Sequence, residues 1–376
     1  MTLPRMLLTN ARVVLADQVI YGAVEVVDGI IARIGEPTAA GKDMGGDYLL
    51  PGLVELHTDH LEVQYAPRPG VRWSPFGALL AHDAQVAGAG ITTVLDALRI
   101  GLTHEDQVTR EDVQALGRAI HEASDADALR AEHYIHLRCE VPVPDCLAQY
   151  ADFADDTKVR VASLMDHSPG QRQFPSLEAY RAYYQKKKRM TDAEFESYAS
   201  ARIADSRRYA AGHRAAIALR GREQGVVLAS HDDATEAHVA DARAHGVHVA
   251  EFPTTLEAAR ASRDAGMKIL MGGPNVVRNG SHNGNISARD LAAEGLLDIL
   301  SSDYVPMSLM QAAFALEGEI GLPAAVGLVT RQPARAAGFA DRGEIAEGLR
   351  ADLVRVRAEG PVPVVRAVWR EGRRVA

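Results

Sequence analysis

The sequence predicts an α/β chain, a (β/α)8 TIM-like barrel with a small β-sandwich domain formed from both termini. Three observations predict it. Short strand-like segments open the chain and return at its far end; eight apolar strand candidates alternate with helix-length or loop-length segments between them; reactive side chains recur at the carboxyl ends of those candidates. The chain has 376 residues, 47% hydrophobic and 24% charged, enough to bury a large core and unlike a disordered polymer.

At the amino end, MLLTNARVVL, AVEVVDG and GIIARIGE read as strands broken by polar and glycine-containing turns. ADLVRVRA and VVRAVWREGRRV repeat the pattern near the carboxyl end, where DLVRVR alternates apolar with charged positions. Residues 1–50 and 340–376 are therefore expected to share one small β domain, with independent terminal hairpins as the competing arrangement. Residues 51–339 carry the barrel candidates LPGLVEL, ITTVLDAL, HYIHLRCEV, VRVASLM, GVVLAS, VHVAEF, MKILMGG and LDILSS. An open doubly wound sheet competes with the barrel, but no GxGxxG opens a helix after the first strand. Residues 170–225 interrupt the alternation with a polar, helical insertion whose basic run is QKKKRM at 185–190. That run is either a solvated helix face or a contact for phosphate.

The formal charge of −9 and a pI near 5.9 provide no global attraction to nucleic acid or an anionic membrane. The amino terminus lacks the long apolar core of a secretory signal and no run of 18 apolar residues follows, so a soluble cytoplasmic protein is expected. Cys139 and Cys146 are too few and wrongly spaced for a disulfide framework and read as buried free thiols.

His57 and Asp59, Asp96 and Arg99, Glu140, His167, His231 with Asp232 and Asp233, Asn275, and Asp303 fall at or just beyond the ends of strand candidates. Barrel active sites draw on those ends. In an extended strand residues two apart face the same way, so His57 and Asp59 aim together while His60 points elsewhere or begins the loop. Imidazole nitrogen and carboxylate oxygen suit a zinc-like cation. His57, Asp59, Glu140, His167, His231 and Asp303 have the content of a binuclear centre, with Glu140 the candidate bridge. Each has an ordinary reading too: a satisfied core histidine, a loop carboxylate, or, for Asp303, a cap on the helix that follows.

LPGLVELHTDHLE, PRPGVRW, HDAQVAGAGITTVLDALRIG, HLRCE, SLMDHSPGQRQF, SHDDAT, GGPNVVRNGSHNGN and LSSDYVP, in this order, resemble the amidohydrolase superfamily and, within it, the PhnM family of α-D-ribose 1-methylphosphonate 5-triphosphate diphosphatases. The resemblance runs essentially end to end. It implies a (β/α)8 barrel with a small β domain from both termini. Asp59 stands where the superfamily usually has the second histidine of His-x-His. Many relatives bridge their metals with a carbamylated lysine; here Lys158 and Lys268 lie at strand starts, so the resemblance favours Glu140 as the bridge. His167 and His231 match the two later metal histidines, one strand earlier than usual, and Asp303 matches the last-strand aspartate.

The resemblance implies one or two divalent metals per chain, zinc first and manganese, iron or nickel next. It implies a phosphorylated ribose phosphonate as substrate, cut at the α-phosphorus to pyrophosphate and the 5-phosphate, with Asp303 orienting and deprotonating the attacking water. A triphosphate calls for cationic contacts, and Arg68, Arg72, Arg99, Arg172, Arg278 and Lys186 are the candidates, with Asn275 and His282 in a glycine-rich substrate loop. His82 and Asp83 are expected at the start of a helical segment, and Asp232 or Asp233, directly after His231, is expected to orient that histidine or to cap a helix. Hydrolysis of a C–N bond, as by a deaminase or cyclic amidase, is the alternative chemistry; a noncatalytic scaffold within a phosphonate-processing assembly is the alternative class. A homo-oligomer is compatible with all three.

Overall fold

A computed structural model describes residues 5–103, 106–174, 176–281 and 284–376, with the backbone alone for 186–188. The chain divides into two compact units, Met1–Asp96 with Arg118–Tyr134 and Met271–Ala376, and Ala97–Gly117 with Ile135–Leu270.

The first unit carries a mixed sheet drawn from both ends of the chain. Its strands are β1 (Met6–Val14), β2 (Val19–Val27), β3 (Ile30–Gly35), β4 (Lys42–Asp43) and β5 (Tyr48–Pro51), joined by β14 (Leu353–Arg357), β15 (Val364–Arg370) and β16 (Arg373–Arg374). The order is β16-β15-β14-β5-β1-β2-β3, with β4 beside β1. β5 is the hinge of this arrangement, parallel to β1 and antiparallel to β14 in the register Leu353↔Pro51. That pairing excludes independent terminal hairpins. Alternation in the sequence explains it: Leu8, Val13, Val24, Leu49, Leu353 and Trp369 turn one face into a shared core.

All eight barrel candidates are strands: β6 (Leu53–Thr58), β7 (Ile91–Ile100), β8 (Glu132–Glu140), β9 (Val159–Met165), β10 (Val227–His231), β11 (Val249–Glu251), β12 (Lys268–Gly272) and β13 (Ile299–Ser301). They follow one another in sequence order in a single sheet. Every residue of β6 is buried, as expected of a strand covered on both faces. The open-sheet alternative fails at the seam, where Thr58 pairs with Asp303 in parallel and Asp59 N–H donates to the Asp303 carbonyl at 2.9 Å. The result is a near-closed parallel barrel.

Two helices follow β6. α1 (His60–Tyr65) starts directly after Asp59; α2 (Pro75–Gly88) has proline in its first turn and Ser74 capping Gly77 N–H at 3.0 Å. In the second unit the insertion forms the helix Leu177–Lys188, then Asp192–Asp205, which passes through one π turn, Ser206–Ala210, into Ala211–Gln224. Thr191 and Glu194 close a capping box, and Phe174, Tyr180 and Phe195 pack a small aromatic core beneath. Cys139 and Cys146 are buried free thiols, and no helix among the described residues is long and apolar enough to cross a membrane.

Candidate functional site

In the first unit, strand periodicity delivers Glu55 and His57 to the same side of β6. Glu55 is fully buried and ties two segments together, accepting His57 N–H at 2.7 Å and Ser302 N–H at 2.6 Å. Burial raises its carboxyl to about 7, and the two N–H donors oppose the rise. His57 is 1% exposed, with Nε2 at 3.6 Å from Asp59 Oδ1. Asp59 sits at the N-cap of α1 but makes no side-chain capping bond. Asp303 comes in at the seam, and ligand atoms of His57, Asp59 and Asp303 all lie within 4.8 Å of one another. Asp303 does not cap the next helix, Ser308–Ala315, whose N-cap is Met307.

The second unit holds another donor group. Glu140 ends β8, and both its oxygens take bonds from His167, one from the backbone N–H at 2.9 Å and one from Nδ1 at 2.6 Å. His167 Nε2 is left pointing to Asp232 Oδ2, 3.6 Å away, and His231 Nε2 lies 3.4 Å from the same oxygen. Burial works against a charge on His167, but the Glu140 carboxylate outweighs it and with Asp232 lifts the imidazole to about 10. Glu140, although burial pushes the other way, is held down at about 2 by His167. Asp232 Oδ2 is buried without a hydrogen bond. A carboxylate oxygen so placed between two imidazole Nε2 atoms suits a cation. Gly101, at φ +87°, lets the chain pass against Glu140, because a Cβ there would stand 2.6 Å from the Glu140 carbonyl oxygen.

His231 is oriented from behind by Glu251, at the end of β11, with Oε2 at 3.3 Å from Nδ1. Ser163 donates to the same oxygen at 2.5 Å and contacts His136 Nε2 at 2.5 Å. The carboxylate behind His231 is thus Glu251, whereas Asp232 meets its Nε2 and Asp233 pairs with Arg172. Three strand ends are followed by non-glycine residues in the left-handed region: Asp232 (φ 56°), Phe252 (φ 53°) and Asp303 (φ 56°). Each keeps a ladder hydrogen bond, to Glu251, Leu270 and His57 carbonyls respectively. Aspartate tolerates this conformation; Phe252 is strained there, and its ring meets His231 edge-on at 5.3 Å.

The cationic candidates differ in what already holds them. Arg68 and Arg72 are exposed, and Arg72 also lies 5.8 Å over the Tyr65 ring. Arg99 is paired with Asp106 at 3.3 Å, and Arg278 is exposed after the short helix Gly273–Val277. Arg172 is only 4% exposed, bound to Asp233 and to the His231 carbonyl; burial and the neighbouring Arg214 push its guanidinium down to about 10. Asn275 bridges its own loop, donating to Ile286 O at 3.2 Å and accepting Ala288 N–H at 2.9 Å. The Lys186 side chain and His282 lie outside the described residues.

Asp96 does not end its strand. β7 continues to Ile100, so Asp96 is interior and fully buried, between His82 Nε2 and His133 Nδ1, each at 2.7 Å. His82 and Asp83 likewise lie in the second half of α2 rather than at its start. Sequence reasoning missed His133, which sits at the amino end of β8 where no strand-end signal exists. It also missed Glu251, which does carry that signal as the last residue of its strand.

The chain belongs to the amidohydrolase family, whose pattern matches residues 48–375. It is 46% identical over 377 residues to the alpha-D-ribose 1-methylphosphonate 5-triphosphate diphosphatase of Escherichia coli (strain K12), an alignment covering 98% of this chain and 100% of that one. That likeness bears out the PhnM resemblance of the motif blocks. Among solved structures, the dihydropyrimidinase of Brevibacillus agri NCHU1002 superposes with a TM-score of 0.64 at 14% identity, covering 99% of this chain and 95% of that one. The N-acetylglucosamine-6-phosphate deacetylase of Thermotoga maritima gives 0.62 at 14% identity, with 99% of each chain covered. At such identity these two share the fold alone.

Proposed function

We propose that the protein is a metal-dependent hydrolase of α-D-ribose 1-methylphosphonate 5-triphosphate, releasing pyrophosphate and leaving the 5-phosphate, in phosphonate catabolism. The full-length likeness to the Escherichia coli diphosphatase carries this reading. In it residues 51–339 form the hydrolase barrel, flanked by the small β domain of 1–50 and 340–376. The protein acts in the cytoplasm, as a monomer or a homo-oligomer.

The donor chemistry fits divalent metal. His57, Asp59 and Asp303 hold one ion in this reading, and His167, His231 and Asp232 hold a second; zinc is the first choice. Glu140, expected from the sequence as the bridge, orients His167 instead, because both its oxygens take hydrogens from that residue. A bound divalent cation supplies charge to phosphoryl oxygens and makes water more acidic. Asp303 orients the attacking water and takes its proton on a carboxylate oxygen as the water oxygen bonds to the α-phosphorus. The bond from that phosphorus to the β-bridging oxygen breaks, and this oxygen leaves with pyrophosphate. Arg68, Arg72, Arg99, Arg278 and Lys186 meet the phosphates. Arg172 and Asn275 serve binding indirectly, by holding the segments around Asp233 and 286–288.

Phosphorus NMR of the metal-replete enzyme with this substrate is expected to show pyrophosphate and the 5-phosphate in equal amounts, and neither after chelation. Orthophosphate as the only new product, or no turnover at all, would overturn the reading. His57→Ala and His231→Ala are each expected to lower bound metal measured by elemental analysis. Unchanged content in both would remove them from the donor set.

A further inference from the structure

One buried chain in the first unit is hydrogen-bonded end to end. His60, the first residue of α1, meets His82 through their Nδ1 atoms at 3.2 Å. His82 Nε2 lies 2.7 Å from Asp96 Oδ1, Asp96 Oδ2 lies 2.7 Å from His133 Nδ1, and His133 Nε2 lies 3.3 Å from Asp83 Oδ1. Asp83 closes the chain, accepting Arg130 and Ala131 N–H groups at 2.9 Å and the Arg130 guanidinium at 3.0 Å. His82, Asp83, Asp96 and His133 are all 0% exposed.

Protons can be placed along this chain by matching donors to acceptors. Asp83 and Asp96 are acceptors, so His133 donates from both nitrogens as an imidazolium. Its raised value, about 9, agrees: burial opposes the charge and Asp96 outweighs it. His82 donates Nε2–H to Asp96. Asp96 has one oxygen for each imidazole, and the Nδ1 of His82 is left as the acceptor across its contact with His60. The hydrogen across the 3.2 Å contact then belongs to His60 Nδ1. His60 Nε2 is left bare, and no hydrogen bond among the described residues reaches it.

We propose that the His133–Asp96–His82 chain locks His60 in its Nδ1–H tautomer, so that the bare Nε2, one residue beyond Asp59, accepts a hydrogen bond from a hydroxyl of the substrate's sugar. Phosphate oxygens have no hydrogen to offer and are repelled by a lone pair. A sugar hydroxyl is the donor that the proposed substrate carries, and the sugar assignment rests on that reading. His82, Asp96 and His133 are positioning residues that act through His60.

The test uses the full-length, zinc-loaded protein with nitrogen-15 histidines. His60 is expected to show a protonated Nδ1 and a bare Nε2 before any substrate is added. In Asp96→Asn the amide N–H₂ turns to His82, whose proton moves to Nδ1, and the His60 proton moves to Nε2. A protonated Nε2 in the unmodified protein would overturn the tautomer assignment. Cadmium-113 coupling to His60 Nε2 would make it a metal ligand and overturn the sugar contact. His60→Ala should raise KM for the ribosyl triphosphate about tenfold, with His60→Gln restoring most of it, and leave inhibition by inorganic tripolyphosphate unchanged. Equal weakening of both would also overturn the sugar contact. If the ribosyl triphosphate is not hydrolysed by the unmodified enzyme, the proposed function and the sugar contact fall together, whereas the tautomer and its inversion are read without substrate.

Discussion

Asp303→Asn is expected to lower kcat by about 10²- to 10⁴-fold while leaving the thermal midpoint near that of the unmodified protein. The change removes the carboxylate that takes the proton from water and keeps the shape of the side chain. Asparagine is the right replacement because Asp303 sits at φ 56°, a conformation that asparagine also tolerates. Alanine there would add backbone strain and confuse a chemical loss with a structural one. The backbone at the seam is held independently of the carboxylate, through Asp303 N–H to His57 O at 3.1 Å and Asp59 N–H to Asp303 O at 2.9 Å. Steady-state kinetics, with metal content measured on the same samples, checks the result. Unchanged kcat with full metal would exclude Asp303 as the proton acceptor. Loss of metal in proportion to the loss of rate would make it a metal donor first.

Arg172→Ala is expected to destabilise the fold by about 3–5 kcal/mol, read from urea unfolding. The reason is what it leaves behind. Asp233 is 1% exposed and is paired with Arg172 on one oxygen, while its other oxygen already lacks a hydrogen bond. Removing the guanidinium strands a buried carboxylate, and Asp232 and His231 stand immediately beside it in the chain. Replacing both partners, Arg172→Met with Asp233→Leu, should recover much of the loss, because an apolar pair carries no desolvation cost. If Arg172 instead bound phosphate directly, the alanine variant would raise KM and leave the unfolding midpoint in place.

These two residues show where a linear reading stops. Asp303 was legible as a position: it lies just beyond the last strand candidate, LDILSS, and parallel strands deliver their final side chains to one end of a barrel. Arg172 was legible only as a cation near His167. That its charge is enclosed depends on Asp233 and Arg214, residues distant in sequence that no spacing rule connects to it. Asp96 misled for a related reason. A strand's end is set by where its ladder partners stop, and β7 runs four residues beyond the aspartate.

By itself the sequence determined the eight barrel strands, the terminal segments of the second sheet and the histidines and carboxylates at the strand ends, because hydrophobic periodicity and strand alternation are local properties of the chain. Tertiary structure alone decided which nitrogen of each histidine is occupied. Glu140 takes His167 Nδ1, Glu251 takes His231 Nδ1, and Asp96 joins His82 to His133. Those pairings follow from contacts between residues far apart in the chain, and hydrogen bonds form between atoms brought within about 3 Å whatever their distance in sequence.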